Sequence, residues 1–191
     1  KIEAGKMELN LHDFSLNDVI DSYSSLFEIR CQQKQVRWTV KGLSDPALVH
    51  GDENKLRQAL NNLLSNAVKF TDSGEVKFSV TAMEKNQYRF DIIDTGYGVP
   101  FESQDKIFDS FQQDKEGEKK GGTGLGLAIS KKLLGLMGSD LILKSEINEG
   151  ARFYFTLELP PAKDAIKNDN LISRAILHLA PNCKIKALIV D

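Results

Sequence analysis

The sequence has few cysteines, no long hydrophobic run and almost no net charge, and each shortage argues against a class of protein. Its two cysteines, Cys31 and Cys183, lack the CxxC spacing of a zinc site and are too few for a disulfide scaffold. No apolar stretch approaches the roughly 20 residues that span a bilayer, and there is no signal-peptide core at the N-terminus. The net charge of -2 provides no basic field for nucleic acid, so we expect no nucleic-acid partner.

What is present is the composition of an ordinary globular domain. Hydrophobic residues make up 41% and charged residues 27% of the 191-residue chain, which is enough for one well-buried domain with an appendage. The chain opens at Lys1 without a methionine, so we expect it to be a fragment of a longer protein. Reduced cysteines fit a cytosolic setting.

The spacing of apolar residues predicts an α+β fold. A first helix is predicted from residue 16 to an end near residues 32–34, and further helices over residues 53–70, 101–111 and 124–137, with Ser15 and Asp52 capping the first two. Strands are predicted over residues 36–40, 47–50, 76–83, 88–93, 140–145 and 151–159. Because the two kinds of element mix without strict alternation, we expect a two-layer sandwich, with helices on one face of a mostly antiparallel mixed sheet.

A polar stripe interrupts the second long helix. Successive helix residues are about 100° apart, so Asn62, Asn66 and Lys69 share one face. Neutral amide oxygens suit a Mg²⁺ ion that is already shared with phosphates, and a lysine supplies positive charge to phosphate. On this stripe alone, the alternative that these residues are the solvated side of an amphipathic helix stays open.

Asp94 follows an apolar strand and precedes a tight turn. Its carboxylate can accept a hydrogen bond from an exocyclic amine such as that of adenine. Gly96 and Gly98 permit positive φ and let the backbone approach a flat base closely. An ordinary Asp-Thr-Gly turn would have the same sequence, so this segment alone does not decide between the two.

A glycine-rich segment at residues 121–126 precedes the last predicted helix. It resembles a flexible loop that enters a helix whose N-terminus faces phosphate. It lacks the Gly-Lys-Ser/Thr ending of a Walker loop and the βαβ surroundings of a dinucleotide-binding motif. A glycine-rich loop without a ligand is the alternative, but the three segments in this order indicate a nucleotide pocket for Mg-ATP.

Four segments in order resemble the sequence boxes of bacterial sensor histidine kinases. Residues 62–71 resemble the N box, 94–100 the G1 box, 108–111 the F box and 122–127 the G2 box. The resemblance covers roughly residues 1–160 and implies the Bergerat (GHKL) ATP-binding fold, which gyrase and the mismatch-repair ATPases share. One departure is visible, because the late glycine pair of the family is Asn148-Glu149-Gly150 here.

The resemblance also implies roles for individual residues. Asn66 would ligate Mg²⁺, Asn62 would line the same site and Lys69 would contact phosphate, and these three would be the catalytic residues. Phe70 would border the adenine, and Asp94 would bind its amino group. The remaining ATP-binding positions would be Gly96, Gly98, Thr123, Gly124, Leu125 and Gly126, and the segment between Phe111 and Thr123 would be the ATP lid.

The implied parent is a hybrid histidine kinase. Residues 1–14 resemble the end of a dimerisation and phosphoacceptor hairpin with a lead-in, 15–160 the catalytic ATP-binding domain, 161–185 a linker, and 186–191 the first strand of a receiver domain. We expect the parent to be a homodimer that phosphorylates a histidine on its own hairpin and acts with a response-regulator receiver. This domain would be cytoplasmic, with the parent anchored in the bacterial inner membrane by segments outside this chain.

Two other functions stay open on the sequence. GHKL ATPases that hydrolyse ATP carry a glutamate at the position of Asn62, and an amide cannot act as that general base. A nucleotide-sensing module without transfer activity is the third possibility, although every expected ligand is retained. His12 lacks most of the family's H box, so we do not expect it to be the phosphoacceptor.

Overall fold

A computed structural model describes residues 8–112, 121 and 123–162 of the chain. Its helices are α1 (Leu16–Lys34), α2 (Glu53–Phe70) and α3 (Gly126–Leu136). Its strands are β1 (His12–Ser15), β2 (Arg37–Lys41), β3 (Leu48–Gly51), β4 (Glu75–Ala82), β5 (Gln87–Asp94), β6 (Ile142–Glu146) and β7 (Gly150–Glu158).

Five strands form the main sheet in the order β2-β4-β5-β7-β6. The β2–β4 pair is parallel, and the other three neighbouring pairs are antiparallel. Alternate side chains on the central strands are buried, so one face of the sheet packs against the helices. The α+β prediction of a mixed, mostly antiparallel sheet with helices on one face is confirmed.

The two long helices begin where their caps were predicted. Ser15 Oγ accepts a hydrogen bond from the backbone N–H of Asp18 at 3.2 Å, and Asp52 Oδ1 accepts one from Lys55 N–H at 3.0 Å. Asp52 is buried, and its other oxygen accepts hydrogen bonds from Lys55 Nζ at 2.6 Å and from the backbone N–H of Asn10 at 2.8 Å. The cap of α2 therefore also ties down the incoming chain.

The core lies between the helices and the main sheet. Phe90 of β5 and Phe155 of β7 stack with ring centroids 4.8 Å apart, and both are fully buried. The helices contribute fully buried side chains to the same core, among them Phe27, Leu60, Leu63 and Leu64. Because the apolar side of α2 faces this core, its Asn62, Asn66 and Lys69 side chains are left half-buried at the edge of the layer.

A two-stranded sheet joins the incoming and outgoing segments. β1 pairs antiparallel with β3, and Val49 of β3 also bridges Pro161. His50 N–H donates to the Pro160 carbonyl at 2.8 Å. The sequence predicted only an extended lead-in before Ser15, because a four-residue strand has too little alternation to be distinguished.

Two boundaries near the glycine-rich segment differ from the prediction. The helix predicted over residues 101–111 is instead two 3-10 turns, Phe101–Ser103 and Lys106–Phe108. Phe101 and Phe111 are strongly exposed, and the positive φ of Phe111 (66°) is incompatible with a right-handed helix. The last helix begins at Gly126 rather than Gly124, because Gly124 has a φ of 67°.

Several predicted segments lie outside the described residues. These are the end of the hairpin over residues 1–7, most of the proposed lid, and the linker and receiver strand from residue 163 onward. In the part of the chain that the structure describes, no helix combines the length and the apolar character needed to cross a membrane.

Candidate nucleotide-binding site

A cleft that is open to solvent lies where α2, the end of β5, β7 and the start of α3 meet. Asn66 and Phe70 contribute to it from α2, and Asp94 and Gly98 from the end of β5 and the following turn. The rest of its lining is Ala67, Tyr97, Val99, Ile107, Leu127, Ala151 and Phe153. The cleft is therefore mostly apolar with a few polar groups, as expected for a pocket that takes a small organic ligand.

Asp94 is the buried acid of this cleft, with 5% of its surface exposed. Burial raises its pKa to about 6, although the backbone N–H groups of Gly96 and Ala151 act in the opposite direction. The Gly96 N–H donates to Asp94 Oδ1 at 2.9 Å. Backbone donors thus orient the carboxylate in an apolar pocket, where it is suited to accept a hydrogen bond from a flat amine-bearing ring.

The two glycines after Asp94 are required by the protein's own backbone. A Cβ on Gly96 would collide with the carbonyl of Phe70, and one on Gly98 would collide with the carbonyl of Glu146. Gly98 also has a φ of 78°. From the sequence, we expected these two glycines to be needed so that a ligand could approach the backbone closely. The structure shows that they are needed first because the turn packs closely against α2 and β6.

The polar stripe of α2 is divided between two environments. Asn66 lines the cleft, whereas the Asn62 side chain donates to the carbonyl of Gly126 at 3.2 Å and to Ser130 Oγ at 3.3 Å. Lys69 Nζ donates to the carbonyl of Gly121 and lies 4.9 Å from the centroid of the Phe70 ring. Within the stripe, Asn62 and Lys69 therefore contact α3 and the glycine-rich segment, whereas Asn66 faces the cleft.

The glycine-rich segment enters α3 through a turn that needs glycine. The carbonyl of Gly124 accepts a hydrogen bond from Phe111 N–H at 3.0 Å, and a Cβ on Gly124 would lie 2.9 Å from the Gln112 carbonyl oxygen. Leu125 occupies the N-cap position without a side-chain cap, and Thr123 is exposed. The cleft lining includes Leu127 from the first turn of α3, but none of the positions Thr123 to Gly126.

The departure at the late glycine pair falls at a permissive position. Glu149 is exposed, and Asn148 before it has a φ of 64°, which asparagine tolerates. Gly150 has a φ of 94°, and a Cβ there would collide with the carbonyl of Asp94. The glycine that the chain keeps is therefore the one that lets β7 lie against the end of β5.

Seven residues of the cleft lining were not among the predicted site residues: Ala67, Tyr97, Val99, Ile107, Leu127, Ala151 and Phe153. The alternation along β7 does identify Phe153 as facing the helices, but it cannot place that residue beside Asp94. Ile107 lies in a 3-10 turn, for which the sequence offered no reliable signal.

A protein-family model matches residues 51–161, and its description is "Histidine kinase-, DNA gyrase B-, and HSP90-like ATPase". The chain belongs to this family. The match begins at the end of β3 and ends just after β7, so it includes every strand and helix that lines the cleft.

Curated relatives within this family are sensor kinases. The chain is 39% identical over 171 residues to hybrid signal transduction histidine kinase B of Dictyostelium discoideum, covering 82% of this chain and 8% of the relative. It is 38% identical to the sensory/regulatory protein RpfC of Xanthomonas campestris and 35% identical to the aerobic respiration control sensor protein ArcB of Escherichia coli. These matches cover 84% and 87% of this chain, but only 23% and 22% of the relatives. The chain thus spans less than a quarter of the length of these relatives.

Solved structures of this family share the fold. Full-length ShkA, crystallised with AMPPNP, superposes with a TM-score of 0.74 at 32% identity, covering 83% of this chain and 33% of that one. The catalytic domain of histidine kinase ThkA superposes with a TM-score of 0.68 at 27% identity, covering 80% of this chain and 99% of that domain. The second match shows that the matched part of this chain corresponds to a whole histidine kinase catalytic domain.

Proposed function

We propose that this chain binds Mg-ATP in the cleft and transfers its γ-phosphate to a histidine on a phosphoacceptor hairpin, as the catalytic domain of a two-component sensor histidine kinase. The proposal rests above all on the buried Asp94 carboxylate, which lies in an apolar cleft with Asn66 in the same lining. An acid oriented by backbone donors can select the adenine amino group, and the cleft can enclose the base beside Phe70 and Leu127.

The donor set of the cleft fits a magnesium ion that arrives with the nucleotide. Among the described residues, no cluster of three or more His, Cys, Asp or Glu side chains could hold a metal ion. Asn66 offers a neutral amide oxygen, which suits Mg²⁺ because this ion keeps several waters and takes few protein ligands beside phosphates. Asn66 would hold the metal, Asn62 would line the same site, and the bound metal would supply charge stabilisation at the phosphates.

The residues of this chain would act by positioning. Phosphoryl transfer requires alignment of the phosphate and stabilisation of its charge more than it requires covalent chemistry by the protein. Lys69 would provide a positive charge near the phosphates, and it contacts the carbonyl of Gly121 in the glycine-rich segment. Thr123 to Gly126 of the same segment would lie beside the phosphates. The attacking group would come from the hairpin histidine, so no general base in this domain is needed.

The proposed roles of the flanking segments and the proposed cellular location follow from this function. Residues 1–14 would connect to the hairpin of a homodimeric parent, 15–160 would form the catalytic domain, and 161–185 would link it to a receiver beginning at 186–191. The domain would work where ATP is made available, on the cytoplasmic side of a bacterial inner membrane that anchors the parent. The apolar residues at positions 187–190, followed by Asp191, support the receiver assignment.

Calorimetric titration with a non-hydrolysable ATP analogue tests the binding step. We expect binding to depend on Mg²⁺ and to exceed binding of the GTP analogue. Asn66→Ala should weaken Mg²⁺-dependent binding at least about tenfold, as for loss of a metal ligand with its surroundings intact. Asn61→Ala is the matched control, because Asn61 is an exposed asparagine of the same helix and does not line the cleft. Equal loss in both variants, or equal binding of the two nucleotides, contradicts the assignment.

A second experiment separates a kinase from an ATPase. The chain is mixed with a phosphoacceptor hairpin and labelled ATP, and acid-labile phosphohistidine and free phosphate are measured together. We expect phosphohistidine only when the hairpin is present, and slow phosphate release without it, because Asn62 cannot deprotonate water. Rapid hydrolysis without the hairpin, with no phosphohistidine, would instead favour an ATPase.

A further inference from the structure

The amide of Asn62 is held by the first turns of α3, and the contact determines which end of the amide remains for a ligand. Its Nδ2 atom lies 3.2 Å from the carbonyl oxygen of Gly126 and 3.3 Å from Ser130 Oγ. A backbone carbonyl can only accept a hydrogen bond, so the end of the amide that faces Gly126 must be the NH₂ group.

Ser130 enforces the same orientation from a fully buried position. Its hydroxyl donates to the carbonyl of Gly126 at 2.9 Å, four residues earlier in α3. Since that bond uses the only hydroxyl proton, Ser130 Oγ can only accept from Asn62. Both neighbours therefore accept from Nδ2. Asn62 Oδ1 accepts no hydrogen bond from another residue in the described part of the chain, and it remains as the acceptor that a ligand can use.

We propose that Ser130 is a positioning residue that makes Asn62 present its amide oxygen, and not its amide nitrogen, to the magnesium and phosphate end of the nucleotide. The inference rests on the proposed function. Magnesium and its bound waters require oxygen acceptors, whereas an NH₂ group would direct a donor at a cation. Ser130 is buried beneath Asn62 and acts through it.

Ser130→Ala in the full chain tests this role by removing one of the two acceptors that hold Nδ2. We expect the affinity for the Mg²⁺-bound ATP analogue to fall about three- to tenfold, the range for loss of one hydrogen bond. Affinity for the same analogue in EDTA should not change. Ser22→Ala is the matched control, because Ser22 Oγ also donates to a carbonyl four residues earlier, that of Asp18, at 2.6 Å. Ser22 likewise accepts from a side chain, Arg57, at 3.1 Å, but on α1 and away from the cleft.

A double-mutant cycle with Asn62→Ala shows whether Ser130 acts through Asn62. In the Asn62→Ala background, Ser130→Ala should cause no further loss of Mg²⁺-dependent affinity. Ser130→Cys replaces the hydroxyl with a somewhat larger thiol that is a weaker acceptor, so it should give an intermediate loss. This variant carries the test if the alanine variant does not fold. Unchanged affinity in Ser130→Ala, an equal loss in both backgrounds, or a loss that persists in EDTA overturns the inference. A wild-type chain without Mg²⁺-dependent binding overturns the proposed function and this inference together.

Discussion

Lys34, the last residue of α1, donates a hydrogen bond of 2.8 Å from Nζ to the carbonyl of Val68 in the last turn of α2. The same amine lies 2.8 Å from the carbonyl of Thr71 and 3.3 Å from that of Lys69. Carbonyls at the end of a helix have no partner within the helix and carry partial negative charge. Lys34 therefore caps the turn of α2 that presents Lys69 and Phe70.

Lys34→Met should lower the free energy of unfolding by about 1–2 kcal/mol, because it keeps the aliphatic stem and removes the donor and the charge. Chemical denaturation measures the change. Lys132→Met on α3 is the control, since Lys132 is exposed, and should change stability by less than about 0.5 kcal/mol. Similar effects of the two substitutions would show that the cap contributes nothing specific.

Because Asp94 is buried, we expect its contribution to the stability of the domain to be smaller at neutral pH than at acid pH. Its pKa is about 6 in the folded state against an ordinary 3.8, so the folded state binds more protons between these values. Stability from this group is complete below about pH 3.8 and is lost as pH rises through 6.

Asp94→Asn, which stays neutral, should therefore raise the free energy of unfolding by on the order of 1–3 kcal/mol at pH 7–8, and the gain should vanish near pH 4. Urea denaturation across this pH range measures it, with the exposed Asp140→Asn as the control. A gain that is the same at every pH would rule out titration of Asp94 as its cause.

Asp94 should also make nucleotide binding depend on pH. If the ionised carboxylate binds the adenine amine, only about one tenth of the protein is competent at one pH unit below a pKa of about 6. Affinity for the ATP analogue should then fall about tenfold between pH 7 and 5. Titrations of Asp94→Asn over the same range give the background from the phosphates, and a parallel pH profile in that variant would contradict the role of the carboxylate.

Gly96 and Gly135 should respond in opposite ways to the same substitution. Gly96→Ala would drive its Cβ into the carbonyl of Phe70, so we expect both stability and nucleotide affinity to fall, with stability lower by about 1–3 kcal/mol. Gly135 lies in α3 with open space around its Cβ position, so Gly135→Ala should stabilise by about 0.5–1 kcal/mol and leave binding unchanged. Thermal unfolding and titration of the two variants measure both effects.

Local chemistry in the sequence determined where the long elements begin and end. α2 runs over Glu53–Phe70 as predicted, because an aspartate cap and a helical apolar stripe are properties of neighbouring residues. The order of the polar and glycine-rich segments was enough to predict a nucleotide pocket and the family to which the chain belongs. The same local rules failed over residues 101–111, where short turns and exposed aromatic residues carry little periodic signal.

Only the tertiary structure determined the surroundings of the candidate site residues. Asn62 meets Gly126, which is 64 positions away in the chain, and this contact sets the orientation of its amide. The pKa of Asp94 is raised by burial and lowered by hydrogen bonds from backbone N–H groups, one of which belongs to the distant Ala151 of β7. Burial and long-range hydrogen bonds arise from the packing of distant elements, so residue type and spacing identify the candidates but do not determine their charge, their orientation or their partners.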